Sequence, residues 1–150
     1  ITNEKNKNEH SLYGEINGVP VKGQLDIYRE GVGIIDLKFT EKEIDKRHQL
    51  NRVVVDGRFD IQAFFYIELV KQNYGVTVPF HFKIISWKER PILFKTVEIS
   101  YAKTPDILEN AKMQVENSLF EMEQLRDKQI WEEDRNIVLP TFPDYLYSND

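Results

Sequence analysis

Two acids and a lysine lie at fixed spacing on two neighbouring segments of β-strand character. Asp26 lies in the first segment, and Asp36 and Lys38 lie two residues apart in the second. Side chains alternate along a strand with a period of two, so Asp36 and Lys38 point to the same face. The two glycines within residues 29–33 allow a turn between the segments. Strands paired with matching faces would place Asp26 and Asp36 side by side.

The alternation also assigns the neighbours of each acid to a face. The first strand presents one face made of Lys22, Gln24, Asp26 and Tyr28, and an opposite face made of Val21, Leu25 and Ile27. The second presents one face made of Ile34, Asp36, Lys38 and Thr40, and an opposite face made of Ile35, Leu37 and Phe39.

Two carboxylates this close repel each other in a half-buried sheet, so either one binds a proton or a cation lies between them. Oxygen ligands without His or Cys favour Mg²⁺ or Mn²⁺ over zinc. Such an ion beside a lysine suits the attack of water on a phosphodiester, because the ion activates water and offsets developing charge. Each residue also has a plainer interpretation: Asp26 as a surface acid paired with Lys22 or Lys38, and Lys38 as the salt-bridge partner of Asp36.

This arrangement resembles the active site of the PD-(D/E)xK nuclease superfamily, with Asp26, Asp36 and Lys38 in the motif positions. Gln62 and Tyr66 lie at the i, i+4 spacing that places two side chains on one helix face. They resemble the Gln-x-x-x-Tyr element of the RecB-like branch, which includes phage-type exonucleases. The resemblance covers residues 13–101. It implies that Asp26, Asp36 and the carbonyl of Leu37 hold Mg²⁺ or Mn²⁺, and that Gln62 and Tyr66 order the site or touch DNA.

The pattern of elements predicts an α/β fold: a mixed sheet of about five strands flanked by helices, as in a restriction-endonuclease-like core. We predict strands over 11–17, 19–28, 33–40, 79–87 and 92–101. Long helices are predicted over 58–74, with Asp56 as N-cap and Gly75 as the stop, and from Pro105, capped by Thr104, to about Lys128. Residues 41–52 are predicted as a short helix or a loop over the site, and residues 53–55 as a short strand or an apolar contact.

The predicted packed stripe of the last helix runs Leu108, Ala111, Val115, Leu119, Met122 and Leu125 or Arg126. Residues 136–150 are predicted to lie as an extended tail. We expect residues 1–10 to be a disordered or truncated N-terminal segment, and residues 11–150 to form a single nuclease-like domain.

The RecB-like core usually opens with a helix whose Glu or His adds a metal ligand, and no such helix is visible here. His10, predicted on a loop, and Glu15, predicted on a strand, are the nearest residues of the right type. Neither matches the family position. An additional N-terminal segment or domain of the same polypeptide would supply it.

Composition sets limits on partners and compartment. The chain has no cysteine, which excludes disulfides and thiolate zinc sites and accords with an expected cytoplasmic location. The net charge of −5 argues against a broad nucleic-acid surface but leaves room for a local one. The cations expected near a DNA backbone are Lys22, Lys42, Lys46, Arg47, Arg52 and Arg58.

The leading hypothesis is therefore a metal-dependent DNA nuclease, first an exonuclease in phage-type recombination or repair and second a restriction-type endonuclease. The alternative is a catalytically inactive nuclease-fold module for DNA binding or assembly. A third interpretation is an unrelated metal-binding domain, in which Asp26 and Asp36 would point apart.

Overall fold

A computed structural model describes residues 6–127 of the 150-residue chain. In chain order the elements are β1 (Asn6–Ile16), β2 (Val19–Arg29), β3 (Gly33–Thr40), α1 (Arg47–Asp56), α2 (Phe59–Tyr74), β4 (Phe80–Ser86), β5 (Leu93–Ile99) and α3 (Pro105–Asp127). The five strands form one mixed sheet in sequential order, flanked by helices. The predicted fold class is confirmed.

Only β3 and β4 pair in parallel, and the other neighbours in the sheet are antiparallel. A parallel pair requires a crossover connection, and here that connection carries α1 and α2. The β1–β2 turn lies at Asn17 and Gly18, whose φ angles are 50° and 78°. Positive φ at both positions is what a two-residue hairpin turn needs.

The core lies between the sheet and the helices. Strand β4 shows the expected alternation: Phe80, Phe82 and Ile84 are buried, while Lys83 lies between them on the opposite face. Phe59 at the start of α2 stacks on Phe82 with ring centroids 4.4 Å apart. Helix α2 therefore covers the sheet face that carries the buried residues of β4.

A glycine in β2 allows α2 to lie close to the sheet. A Cβ at Gly23 would come within 2.5 Å of Tyr66 Cε1 and 2.8 Å of Leu69 Cδ1. The helix ends where predicted, at Gly75, which has a left-handed φ of 73°. The predicted N-cap is wrong: the capping position belongs to Arg58, in a left-handed conformation without a side-chain cap, while Asp56 is the last residue of α1.

Two boundaries differ from prediction at the sheet edge and in the crossover. Strand β1 begins at Asn6 rather than at residue 11, so residues 6–10, including His10, are strand and not disordered segment or loop. Its polar sequence is tolerated because an edge strand keeps side chains in water while β2 supplies backbone partners. Residues 53–55 belong to helix α1, not to a strand.

Helix α3 begins at Pro105, as predicted, and packs on α2. Leu108 and Ala111 are buried, but Met122 and Leu125 are exposed, so the predicted packed stripe is too long. The predicted tail over 136–150 lies outside the described residues. Within residues 6–127, no helix has both the length and the apolar character that a bilayer crossing requires.

Gly33 should be the least replaceable glycine of the fold. Its φ is +125°, and an added Cβ would lie 2.3 Å from the carbonyl oxygen of Pro79, which also accepts a hydrogen bond from the Ile34 amide. We expect Gly33→Ala to lower the free energy of unfolding by about 3 kcal/mol. The alanine would hold a strained positive φ, and the backbone at Pro79 would also have to move away from its Cβ. Urea unfolding followed by circular dichroism measures it.

Gly31 supplies the matched control. Its φ is +80°, but an added Cβ would meet nothing within 4 Å. Gly31→Ala should therefore cost only the backbone strain, about 1 kcal/mol. Equal losses in the two variants would contradict the importance of the Gly33–Pro79 approach.

Candidate active site

The two predicted acids lie on neighbouring strands, at the point where regular pairing of β2 and β3 stops. The register runs through Ile27 opposite Ile35, and its continuation places Asp26 opposite Asp36. Beyond that point the side chain of Asp26 replaces a backbone partner: its Oδ2 accepts a hydrogen bond of 3.3 Å from the Leu37 amide. The carboxyl groups of Asp26 and Asp36 lie close enough for Asp26 to raise the pKa of Asp36.

The predicted faces of β2 need one correction. Tyr28 is buried and its ring stacks on Tyr74 of α2 at 5.2 Å, whereas Asp26 is exposed. Leu25 is also buried, so the period of two is interrupted between Leu25 and Tyr28. On β1 the residue facing Asp26 is Glu9, which has a φ of +48°. The pairing of β1 with β2 is therefore locally irregular at Glu9, and Tyr28 faces the helix as a result. The alternation of polar and apolar residues along β2 does not reveal this irregularity.

Asp36 is buried, with 7% of its surface exposed. Gln62 Nε2 lies 3.5 Å from its Oδ1 as a long hydrogen bond, and Lys38 Nζ lies 3.0 Å from its Oδ2 as an ion pair. Within residues 6–127 this ion pair is the polar contact of the buried Oδ2, which has no further hydrogen-bond donor. A buried carboxylate with so few donors is costly, and a bound cation would add to its stabilisation.

The same environment alters the pKa of Asp36. The pKa of its carboxyl is raised from 3.8 to about 6: burial raises it most, the ammonium of Lys38 lowers it, and the carboxyl of Asp26 also raises it. The ion pair therefore offsets only part of the cost of burying the charge. Perturbation by burial together with a specific charged neighbour is typical of functional carboxylates.

Lys38 faces an open cleft of about 280 Å³, which we call the Lys38 cleft; its lining includes Phe39, Lys42, Asp56 and Phe59. The ammonium lies 5.8 Å from the centre of the Phe59 ring, within reach of a cation–π interaction. About a third of the Lys38 side chain is exposed, at 32%, so the amine is accessible from solvent. Sequence analysis missed Phe59, although it precedes Gln62 by three residues, one turn of the same helix.

Gln62 and Tyr66 lie on the sheet-facing side of α2, but at different distances from the acids. Gln62 contacts Asp36 directly. Tyr66, one turn later, packs its ring on Gly23 and lies 6.1 Å from the ring of Phe80. The structure thus brings Gln62 into the cluster and places the Tyr66 ring in the packing between α2 and the sheet.

Within the described residues, His10 and Glu15 form hydrogen bonds with the end of α2 and not with Asp36. His10 bonds the hydroxyl of Tyr74, and the Glu15 amide donates to Gln72. In the sheet, His10 pairs with Leu25, the residue before Asp26, whereas Glu15 pairs with Pro20.

Within residues 6–127 no group of three or more His, Cys, Asp or Glu side chains is placed to hold a metal ion. The available donors are the carboxylates of Asp26 and Asp36 and the carbonyl of Leu37. This set fits Mg²⁺ or Mn²⁺, since Mg²⁺ takes few protein oxygens and keeps several waters. The Oδ2 of Asp36, whose polar contact within residues 6–127 is the ion pair with Lys38, supports the fit.

Known proteins with similar sequence or structure agree with the predicted family. A family model described as a PDDEXK-like domain of unknown function matches residues 5–135. No curated protein matches the sequence. A crystal structure of a provisionally assigned exonuclease from Eubacterium rectale is 22% identical with a TM-score of 0.65, covering 95% of this chain and 57% of that one. At this identity the likeness shows a shared fold.

A second crystal structure, of SSO0001, is 19% identical with a TM-score of 0.44, covering 73% of this chain and 50% of that one. At this TM-score the two folds are not established as the same. The chain spans little more than half the length of the solved structures it matches, at 57% and 50%.

The raised pKa of Asp36 predicts a specific pH dependence of stability in the absence of metal. The folded state holds the Asp36 proton more tightly than the unfolded state, so this group stabilises the fold below pH 3.8 and that contribution is lost as pH rises through about 6. The shift corresponds to about 3 kcal/mol. Asp36→Asn has no titrating group at this position. Between pH 4 and pH 7.5 the free energy of unfolding of wild type should therefore fall by about 2 to 3 kcal/mol relative to that of the variant.

Urea unfolding of both proteins in chelator, at the two pH values, measures the difference. Subtracting the variant from the wild type removes the contributions of other acids, such as Asp60 and Glu98, whose pKa values are lowered by Arg58 and Lys103 respectively. Parallel pH profiles for the two proteins would contradict the assigned state of Asp36.

Proposed function

Because this chain belongs to the PDDEXK-like domain family, we propose that it is a metal-dependent DNA nuclease that hydrolyses phosphodiester bonds at Asp26, Asp36 and Lys38. The observation that carries the proposal is the buried, donor-poor carboxylate of Asp36, next to Asp26 and 3.0 Å from an accessible lysine. A structural ion pair alone has no need of a second acid beside the first.

In this proposal Asp26, Asp36 and the carbonyl of Leu37 hold Mg²⁺ or Mn²⁺. When bound, the ion supplies Lewis acidity toward a phosphoryl oxygen and lowers the pKa of water. The protein fixes the position of both acids. The Leu37 amide orients Asp26 through a 3.3 Å hydrogen bond, and Gln62 orients Asp36.

Lys38 is proposed to act on the reacting groups from the side of the cleft. Its ammonium donates hydrogen bonds to the attacking water or to a non-bridging phosphate oxygen, where negative charge develops in the transition state. Water adds its oxygen to phosphorus and gives up a proton to solvent, the bond from phosphorus to the ester oxygen breaks, and that leaving oxygen takes up a proton from solvent. Phe59 beneath the amine keeps the side chain extended over the cleft.

Gln62 and Tyr66 are proposed to order the site, and Tyr66 to reach DNA by its hydroxyl. Their spacing supports placement in the RecB-like branch. The assignment of the Eubacterium rectale protein as an exonuclease, together with the shared fold, favours an exonuclease in phage-type recombination or repair over a restriction-type endonuclease. We propose a cytoplasmic protein.

A second candidate is an inactive nuclease-fold module that binds DNA or serves in assembly. It is favoured by the presence of only two clustered carboxylates within residues 6–127. The two candidates differ in one measurable property, which is cleavage in the presence of a divalent ion.

Lys38→Ala should reduce DNA cleavage by about 10²–10⁴-fold while leaving the fold intact, because it removes a group that acts in the transition state. Loss of end label from linear duplex and release of nucleotides from single strands, with Mn²⁺ or Mg²⁺, measure the rate. A circular substrate separates exonuclease from endonuclease activity.

Lys83→Ala is the matched control. Lys83 is the partner of Leu37 in the parallel register, but it points to the opposite face and donates to Thr96. Its removal should leave cleavage within about twofold, as for a surface charge remote from the reacting atoms. Absence of cleavage by the wild type with either ion, with DNA binding retained, would support the inactive module instead.

A further inference from the structure

A second cleft, of about 670 Å³, lies beside the Lys38 cleft along helix α1. We call it the cationic cleft, because three cationic side chains line it from three separate segments, Lys42, Arg52 and Lys88, with His48 beside them. Lys42 follows β3, His48 and Arg52 lie on α1, and Lys88 follows β4. The fold therefore gathers these charges from positions that are distant in sequence.

Two acids also line the cationic cleft. Asp56 forms a 3.0 Å ion pair with Lys42, and Glu43 accepts a 3.0 Å hydrogen bond from the amide of Gln49, a neutral group that does not offset a carboxylate charge. Within the part of the chain that the structure describes, neither Arg52 nor Lys88 forms an ion pair. Lys42, Arg52 and Lys88 therefore exceed the two carboxylates of the cleft by one formal positive charge.

Helix α1 adds positive potential at the same place. Its N-cap is Lys46, followed by Arg47 and His48, and its first turn contains no acid. Cations at the N-terminus oppose the helix dipole, so this end of the helix is electrostatically unfavourable without an anion nearby. A phosphate in the adjoining cleft would relieve that repulsion.

The cationic cleft is continuous with the Lys38 cleft. Lys42 and Asp56 line both, and their ion pair marks the border. A polyanion positioned at Lys38 would extend directly into the cationic cleft, where successive phosphates meet Lys42 and then Arg52 and Lys88.

We propose that the cationic cleft binds the backbone phosphates of the DNA strand next to the bond that is cut. Arg52 and Lys88 are the principal contacts, and Lys42 exchanges Asp56 for a phosphate when DNA binds. The proposal rests on the proposed function in taking DNA as the ligand. Of the cations that sequence analysis expected near DNA, the proposal includes Lys42 and Arg52 but not Arg58. Arg58 does not line the cationic cleft, and its guanidinium donates hydrogen bonds to Asp60 and Gln114.

The test is binding of a fluorescent oligonucleotide, single- and double-stranded, in chelator so that no cleavage occurs. Arg52→Ala/Lys88→Ala should weaken binding by about tenfold at 50 mM salt and reduce the slope of log affinity against log salt by between ~1 and ~2, as expected for two lost phosphate contacts. Asp56→Asn should tighten binding by about threefold, because it frees Lys42. A role in folding alone would not produce opposite signs.

Lys71→Ala/Lys112→Ala is the matched control. Both lysines are exposed and lie outside the cleft, and their removal changes the net charge by the same amount as the test variant. It should change affinity by less than about twofold. Equal weakening by both double variants, or none by Arg52→Ala/Lys88→Ala, would overturn the proposal. If the wild type binds DNA through the cationic cleft but does not cleave it, the nuclease function alone is overturned. If Arg52→Ala/Lys88→Ala cleaves and binds DNA as the wild type does, this inference alone is overturned.

Discussion

The position of helix α2 on the sheet determines the geometry of the candidate site. Close approach is possible because Gly23 of β2 leaves room for Tyr66 and Leu69. At the other end of the helix, the stack of Phe59 on Phe82 fixes its start. A shift of α2 by a fraction of a turn would remove Gln62 from Asp36 and Phe59 from beneath Lys38. The apolar packing of one helix therefore sets the polar contacts of the site.

That packing places Asp36 where the sheet would otherwise hold an apolar residue. Burial raises the pKa of the carboxyl to about 6 despite the nearby ammonium of Lys38, so the fold bears an electrostatic cost at neutral pH. An aliphatic side chain at this position would stabilise the core. Retention of a poorly satisfied carboxylate between Asp26 and Lys38 is what a ligand-binding role explains, because the ligand supplies the missing interaction.

Sequence patterns were sufficient for β2 to β5 and for the adjacency of Asp26 and Asp36, because alternation and turn residues are local signals. They failed for Tyr28, since the irregularity opposite Glu9 depends on pairing with another strand. They also failed for the N-cap of α2, where the left-handed Arg58 joins two helices that sequence analysis had not resolved as consecutive. The cationic cleft was only half visible: Lys42 and Arg52 were candidates, but Lys88 joins them through the fold alone.

The crossover between β3 and β4 links these features. A parallel pair cannot be closed by a tight turn, so the chain must leave the sheet after Thr40 and return at Phe80. This long connection carries α2, which supplies Gln62 to Asp36, and α1, which supplies Arg52 to the cationic cleft. An acidic chain with a net charge of −5 can in this way present a local positive surface, since the crossover concentrates its cations beside the site. The topology that makes β3 and β4 parallel thus also places the charges of the cationic cleft next to the residues proposed to cut.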